Sequence, residues 1–301
     1  MPQVRALVVS AVDTIAATVV TVPDPGPGEV AVDLAFTAVS PGTEARAMKG
    51  LQQADAFPYV PGYSGAGRIA ACGAGATLAI GTPVYCSGTQ HLIGAKRLWG
   101  GHIARAVLPA SSVVPLAADA DLCAAAPAHL AAIAYHGVRL ARPIPGERVL
   151  VVGLGPIGLL SALIHSSAGT RVLAVDRSHA RVERARHLGL DAAVATTTIP
   201  ARALTWGDDH APGARLVIQG SYPAEVALPY HDVFMRELQV LVPRDCTPGD
   251  IRAVLDLVQR GLLPLGALVS QVADPADAAA VYAELRRPDT AWVTAAFRWD
   301  V

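Results

Sequence analysis

Apolar and polar positions alternate in short runs over the first 110 residues, and then the period changes. A first strand opens near Met1 and contains Ala6–Val9. A second run, Glu29–Val39, follows the break Pro23-Asp-Pro-Gly-Pro-Gly. Gly65–Ala71, Thr82–Cys86 and Gly100–Pro109 repeat the pattern. Short strands punctuated by glycine and proline predict a small barrel-like β domain. From Asp119 to Leu140 the chain is alanine-rich and helical in character, with Pro127 as a kink or restart. Beyond Arg148 strand and helix alternate: Val149–Val152, Leu159–Ser166, Val172–Val175, Ser178–Leu188, Ala192–Ala195. That order predicts right-handed crossovers and a parallel sheet. Ser178 reads as an N-cap and Gly189 as a helix stop. Arg215–Gly220 and Leu238–Pro243 read as further strands, and Pro248–Gly261 as a helix. Leu268–Ala273, Pro275–Arg286 and Trp292–Phe297 close the chain as strand, helix and strand.

The sharpest local signal is Arg148-Val-Leu-Val-Val-Gly153-Leu-Gly155-Pro156-Ile157-Gly158. A β-branched run stops at the first of three glycines spaced G-x-G-x-x-G, and an apolar helix follows. In a dinucleotide-binding turn these glycines give a tight bend, backbone approach to a pyrophosphate, and close helix–sheet packing. The helix start offers free N–H groups and a positive dipole end. A second strand, Arg171–Asp176, ends in an acid 18 residues after Gly158, placed to bind a ribose hydroxyl. An α/β turn that binds nothing is the bland alternative.

Composition narrows the classes. The chain has 301 residues, enough for one large or two ordinary domains. Net charge is −1 without a basic run, which argues against nucleic acid as a partner. Cys72, Cys86, Cys123 and Cys246 are scattered with no C-x-x-C pair, so no cysteine zinc knuckle or disulfide framework is expected. A reducing cytoplasm is the expected compartment. The N-terminus lacks a signal-peptide layout, and the apolar stretch Val149–Ile164 resolves into strand, turn and helix rather than a membrane span.

In this order of parts the whole chain resembles the medium-chain dehydrogenase/reductase superfamily. The carrying motifs are Pro41-Gly-Thr43-Glu44, Pro61-Gly-Tyr63-Ser64-Gly-Ala-Gly, Gly100-Gly-His-Ile-Ala-Arg, Gly146 through Gly158, and Phe234-Met-Arg-Glu-Leu. Ser-Pro-Gly-Thr-Glu and Arg-Glu-Leu are most similar to a zinc-free branch that includes bacteriochlorophyllide a dehydrogenase and natural-product oxidoreductases. The resemblance implies an α/β fold with a GroES-like domain over 1–118, a Rossmann domain over 119–266, and a return to the first domain over 267–301. It implies NAD, or NADP, bound by Gly153, Gly155, Pro156, Ile157, Gly158, Asp176, Arg177 and Gly220. The acid at 176 favours NAD, while Arg177 and Arg181 argue for NADP. Family dimers pair an edge strand at Leu238–Val242, which implies a homodimer.

Departures from the family pattern shape the expected chemistry. Zinc-dependent members carry a cysteine at Pro41 and a His-Glu pair at Tyr63-Ser64. His129 falls near the third ligand position, and a single histidine is too few for a catalytic zinc. No metal is therefore expected, and His129 reads as a hydrogen-bonded helix residue. Without a metal, the oxygen of a carbonyl needs another proton donor or electrophile. Tyr63 and Thr43 are the first candidates, with Ser40 adding a hydrogen bond; a pocket-wall tyrosine and a turn threonine are the plain alternatives. Glu44 is a possible base, but the resemblance implies a loop-ordering acid paired with Arg298 or Arg46. His91, His102 and His136 are possible titrating groups, and Trp99 a pocket wall. Only Thr196–Ala214 separates two strands where the family has a further strand, loop and helix. The sheet is thus expected to be one strand short, with about five strands and a short helix near Ala201–Asp208. The leading expectation is a zinc-free oxidoreductase acting on a small organic substrate held with NAD(P) between the two domains. The alternatives are a non-redox enzyme on this fold (a dehydratase, cyclase or isomerase) and a non-catalytic scaffold.

Overall fold

The structure is a computed structural model that describes residues 1–51, 57–191, 193–197, 214–220 and 225–300. The chain divides into two compact units, Met1–His129 with Leu255–Val301, and Leu130–Val254.

The first unit opens with β1 (Gln3–Ala11) and β2 (Thr14–Thr21), an antiparallel hairpin. Then come β3 (Glu29–Ala38), α1 (Pro41–Met48), β4 (Tyr59–Val60), β5 (Gly65–Cys72), β6 (Pro83–Cys86), β7 (Lys96–Arg97), β8 (Arg105–Pro109), β9 (Val114–Pro115) and α2 (Leu122–Ala125). Asp121 caps α2 by accepting the Cys123 and Ala124 amides. Pro127 separates α2 from the next helix, where the sequence places a restart.

The second unit holds α3 (Ala128–Ala141, whose first two residues belong to the first unit), β10 (Arg148–Val152), α4 (Pro156–Ser167), β11 (Arg171–Asp176) and α5 (His179–His187). It continues with β12 (Ala193–Ala195), β13 (Arg215–Val217), α6 (Tyr230–Met235), β14 (Gln239–Leu241) and the start of α7 (Pro248–Gln259). Ser178 caps α5 through the Arg181 amide, and Gly189 ends that segment at φ 87°. The chain returns to the first unit with β15 (Val269–Ala273), α8 (Ala278–Leu285) and β16 (Thr294–Arg298).

Two sheets build the first unit. One runs β2-β1-β4-β7, the other β15-β16-β3-β5-β6-β9. One edge of β3 pairs with β5 along its length; the other is divided between β8 and β16. Leu7, Val9, Val30, Leu34, Ile103 and Phe297 are completely buried in the core between these strands. α2 packs on β3 and β5, and the turn Leu265–Leu268 packs on α2. Residues 119–129 and 255–266 therefore group with the β unit.

In the second unit β10, β11 and β12 pair in parallel, as do β13 and β14. The five parallel strands expected from the sequence are present, but as ladders of three and two rather than one sheet among the described residues. The helix expected near 201–208 lies outside the described residues. Gln219, just after β13, ties that strand to its surroundings. The Gln219 amide donates to the Ile133 and Ala134 carbonyls of α3 at 3.0 and 3.3 Å, and its oxygen accepts the Ser161 hydroxyl of α4 at 2.6 Å. A Cβ on Gly137 would come within 1.9 Å of this amide, so a side chain there would push Gln219 out of these bonds. Among the described residues no helix is long and apolar enough to cross a membrane.

Candidate functional site

The glycine turn forms at the end of β10. Gly153 sits at φ 92°, a left-handed backbone that glycine adopts without the clash a Cβ would cause. A Cβ on Gly158 would collide with the Gly153 carbonyl, so the third glycine is required by close packing of α4 on the turn. Gly155 differs. A Cβ there would meet no protein atom within 4 Å, so space open to a ligand faces this backbone. Gly155 is also the N-cap of α4, with Pro156 opening the helix, and as a glycine it offers the first amides no side-chain cap. Those amides and the helix dipole suit an anion.

Asp176 ends β11 beside this turn. Its carboxylate accepts the Leu154 amide at 2.6 Å and the Ser178 amide at 2.8 Å, with Arg181 at 3.8 Å. A carboxylate offers about four acceptor positions, so two remain for ribose hydroxyls. Arg177 is exposed next to it, Ile157 is half-buried in the first turn of α4, and Gly220 is exposed after β13.

In the first unit the structure brings together Tyr63, Ser40, Trp99, Tyr85, Ser64 and His129. The Tyr63 hydroxyl donates to Ser40 Oγ at 2.5 Å. The Tyr63 ring meets Trp99 edge-on at 5.3 Å and His129 at 4.8 Å. Trp99 holds φ 69°, an uncommon backbone for a bulky residue and a mark of local strain. His129 Nδ1 shares a hydrogen bond with the Tyr85 hydroxyl at 3.3 Å, and its amide donates to Ser64 Oγ. Ser64 Oγ donates in turn to the Ala126 carbonyl. Thr43 is half-buried on α1.

Ser40 holds the N-cap position of α1, where a serine hydroxyl ordinarily accepts an amide of the first turn. Here it makes no capping bond. The bond it forgoes is typically worth about 1 kcal/mol, and the hydroxyl is turned to Tyr63 instead.

Glu44 is held by groups other than Arg298. Its partners are the Ser40 amide at 2.7 Å, His102 Nε2 at 2.9 Å and the Tyr282 hydroxyl. Arg298, one expected partner, is exposed and 4.0 Å from Asp300. The reason is burial: Glu44 has no exposed surface, while Arg298 ends β16 facing outward. Burial and the Glu44 charge together raise the Tyr282 hydroxyl well above its usual pKa and hold Tyr59 at about 12. The strand expected over Gly100–Pro109 forms only from Arg105, and His102 is fully buried in the loop before it.

The other titrating candidates are paired with acids. His91 pairs with Glu29 at 2.6 Å, and His136 with Asp250 at 2.9 Å. Burial lowers His165 to about 4, so it is neutral at physiological pH. Burial also pushes the Cys86 and Cys246 thiols up to about 12, which keeps them in the thiol form at neutral pH. The sequence reading missed the roles of Tyr282, Tyr85 and Gln219; their spacing along the chain carries no signal.

Comparison with known proteins matches this arrangement. Residues 26–118 match the alcohol dehydrogenase GroES-like domain family. The chain is 27% identical to the 2-desacetyl-2-hydroxyethyl bacteriochlorophyllide A dehydrogenase of Rhodobacter capsulatus, over 93% of each chain. It is 34% identical to the L-threonine 3-dehydrogenase of Streptomyces avermitilis over 59% of each. Among solved structures, an alcohol dehydrogenase of Escherichia coli CFT073 in complex with NADH superposes with a TM-score of 0.87 at 19% identity, covering 99% of this chain and 100% of that one. A GroES-like match on residues 26–118, a glycine turn between parallel strands, and a 27% identical dehydrogenase matched over 93% of each chain together support the medium-chain dehydrogenase/reductase superfamily for this chain.

Proposed function

We propose that the protein is an NAD(P)-dependent oxidoreductase that interconverts a carbonyl and an alcohol, or reduces a conjugated C=C, in a small organic substrate without a catalytic metal. The observation that carries the reading is the glycine turn. Its Gly155 backbone faces open space at a helix start, with the Asp176 carboxylate fixed beside it. The residues fit the diphosphate and ribose of a dinucleotide. Gly153–Gly158 and the first amides of α4 would hold the diphosphate, and Asp176 would accept ribose hydroxyls. When bound, the nicotinamide supplies or accepts a hydride.

The chain's own contribution is at Tyr63. In the reducing direction its phenol gives a proton to the substrate oxygen, and the Ser40 hydroxyl, 2.5 Å away, then turns to donate to the phenolate. The metal-free reading rests on donor atoms. Pro41 has none, and Ser64 Oγ is bound to the Ala126 carbonyl and the His129 amide.

NADH fluorescence titration tests the reading. NADH is expected to bind, and more tightly than NADPH, because the Asp176 charge opposes a 2′-phosphate. Chelator treatment is expected to leave turnover intact. Tighter NADPH binding ends the preference for NAD, and one tightly held zinc per chain ends the metal-free claim. Binding of neither nucleotide ends the oxidoreductase reading. In that case a non-redox enzyme on the same fold becomes the better account, and the split of the parallel strands into two ladders among the described residues is the feature that favours it.

We also propose a homodimer. Tyr230, Phe234 and Met235 of α6 and Val242 after β14 are each more than 60% exposed. β14 has no second partner strand among the described residues. A second copy pairing along β14 would cover this apolar edge. Light scattering is expected to give the mass of two 31.1 kDa chains, and a monomer would contradict the proposal. The four free cysteines suit a reducing cytoplasm.

A further inference from the structure

The buried cluster around Glu44 has a direction. Glu44, His102 and Thr37 have no exposed surface, and Tyr282 and Trp299 have almost none. The Trp299 indole, which can only donate, donates to Thr37 Oγ1 at 2.9 Å. The single Thr37 proton is then available to His102 Nδ1 at 2.8 Å. With Nδ1 accepting, the ring proton sits on Nε2 and points at Glu44 Oε2, 2.9 Å away. Three donors therefore converge on the carboxylate: His102 Nε2, the Tyr282 hydroxyl on the same oxygen, and the Ser40 amide on Oε1. Hydrogen bonds of this charge-assisted kind are about twice as strong as neutral ones.

Two routes lead from this cluster to Tyr63. The first passes through Ser40, whose amide is held by Glu44 and whose hydroxyl receives the Tyr63 proton. The second passes through the loop before Tyr63. A Cβ on Gly62 would come within 2.6 Å of the His102 ring, so the loop packs closely on the imidazole. The Gly101 amide donates to the Gly62 carbonyl at 2.7 Å, and the His102 amide to the Pro61 carbonyl at 2.8 Å. Neither Glu44 nor His102 reaches the surface, so neither touches a substrate.

We propose that Glu44 and His102 are a positioning pair that sets the Tyr63 hydroxyl through Ser40 and the Pro61–Gly62 loop. The proposal rests on the reading of Tyr63 as proton donor, but its geometry is testable without a substrate. The test uses the full chain carrying tyrosine labelled with carbon-13 at Cζ, a nucleus that reports the hydrogen bond of the phenol. The Tyr63 signal is identified by its loss in Tyr63→Phe, and its position without the acceptor is read in Ser40→Ala. In His102→Leu the Tyr63 signal is expected to move most of the way to the Ser40→Ala position. His102→Gln, whose amide can replace the Nε2 donor, is expected to restore the wild-type position. An unmoved signal in His102→Leu, or equal displacement in His102→Gln, overturns the proposal. If His102→Leu does not fold, Tyr282→Phe removes one donor from the same carboxylate oxygen. The Tyr63 signal must then move in the same direction, and an unmoved signal again overturns the proposal. A protein that shows these shifts yet binds no pyridine nucleotide retains the positioning pair and loses the redox assignment.

Discussion

Tyr63→Phe is expected to lower turnover by about two orders of magnitude or more while leaving the fold intact. Two effects compete in this substitution. The lost ground-state bond to Ser40 is a hydroxyl–hydroxyl contact worth on the order of 1 kcal/mol. The lost proton transfer is worth about 10²–10⁴ in rate, or roughly 3–5 kcal/mol. The rate effect dominates. The phenylalanine ring keeps the edge contacts to Trp99 and His129, so the pocket wall stays in place. Steady-state oxidation of NADH with a carbonyl substrate is the measurement. KM is expected to change little, because the missing interaction develops as the proton moves. Undiminished turnover in Tyr63→Phe would remove the tyrosine as acid or base and leave it as pocket wall.

The parts of this molecule that the sequence makes legible are those whose cause is local. The turn at Gly153–Gly158 and the acid at Asp176 are read within one strand-turn-helix, because steric room and amide direction are set by neighbours in the chain. The caps at Ser178 and Gly189 are legible for the same reason. Helix α1 is not. Its buried side chains are Glu44, Ala47 and Met48, so a carboxylate occupies the inward face and no apolar period marks it. β2 is obscured in another way. Val19 is exposed while its neighbour Val20 is buried, and the adjacent Ala16 and Ala17 offer little contrast between the two faces.

At the site, residue types at family positions single out Tyr63, Ser40 and Glu44, but not how they connect. Glu44 meets Tyr282 across 238 residues and His102 across 58. Pairings at that separation are fixed by the sheet, which brings β3, β8 and β16 to one edge. The resemblance points to Arg298 or Arg46 as the partner of Glu44. Burial decides against Arg298: Tyr282 on α8 and the imidazole of His102 reach the carboxylate from within the core, and a guanidinium at Arg298 would have to leave solvent to do so. Gln219 is the same kind of case. Nothing around it in the chain announces that its amide joins α3, α4 and β13.

Asp250→Asn is expected to destabilise the protein by about 2–3 kcal/mol near neutral pH, and by much less at acid pH. Asp250 stands in the first turn of α7 and is 2% exposed. It forms a reciprocal cap with Thr247: the Thr247 amide donates to its carboxylate at 2.8 Å, and its own amide donates back to Thr247 Oγ1 at 3.2 Å. From α3, Arg139 and His136 each donate to the carboxylate at 2.9 Å. Burial alone would raise the Asp250 pKa. The bonds from Thr247, Arg139 and His136 outweigh it and hold the group down at about 2. An unfolded aspartate titrates near 3.9, so the difference is worth about 2.5 kcal/mol. Because the folded value is depressed, this contribution is complete above about pH 4 and is lost as pH falls through about 2. Asparagine keeps the shape but removes the charge that Arg139 and His136 face. Urea unfolding of both proteins at pH 6 and again at pH 3 checks the sign. The gap between wild type and variant should narrow at the lower pH. An equal gap at both would mean that the ionised carboxylate contributes nothing, and that the cap to Thr247 alone accounts for the loss.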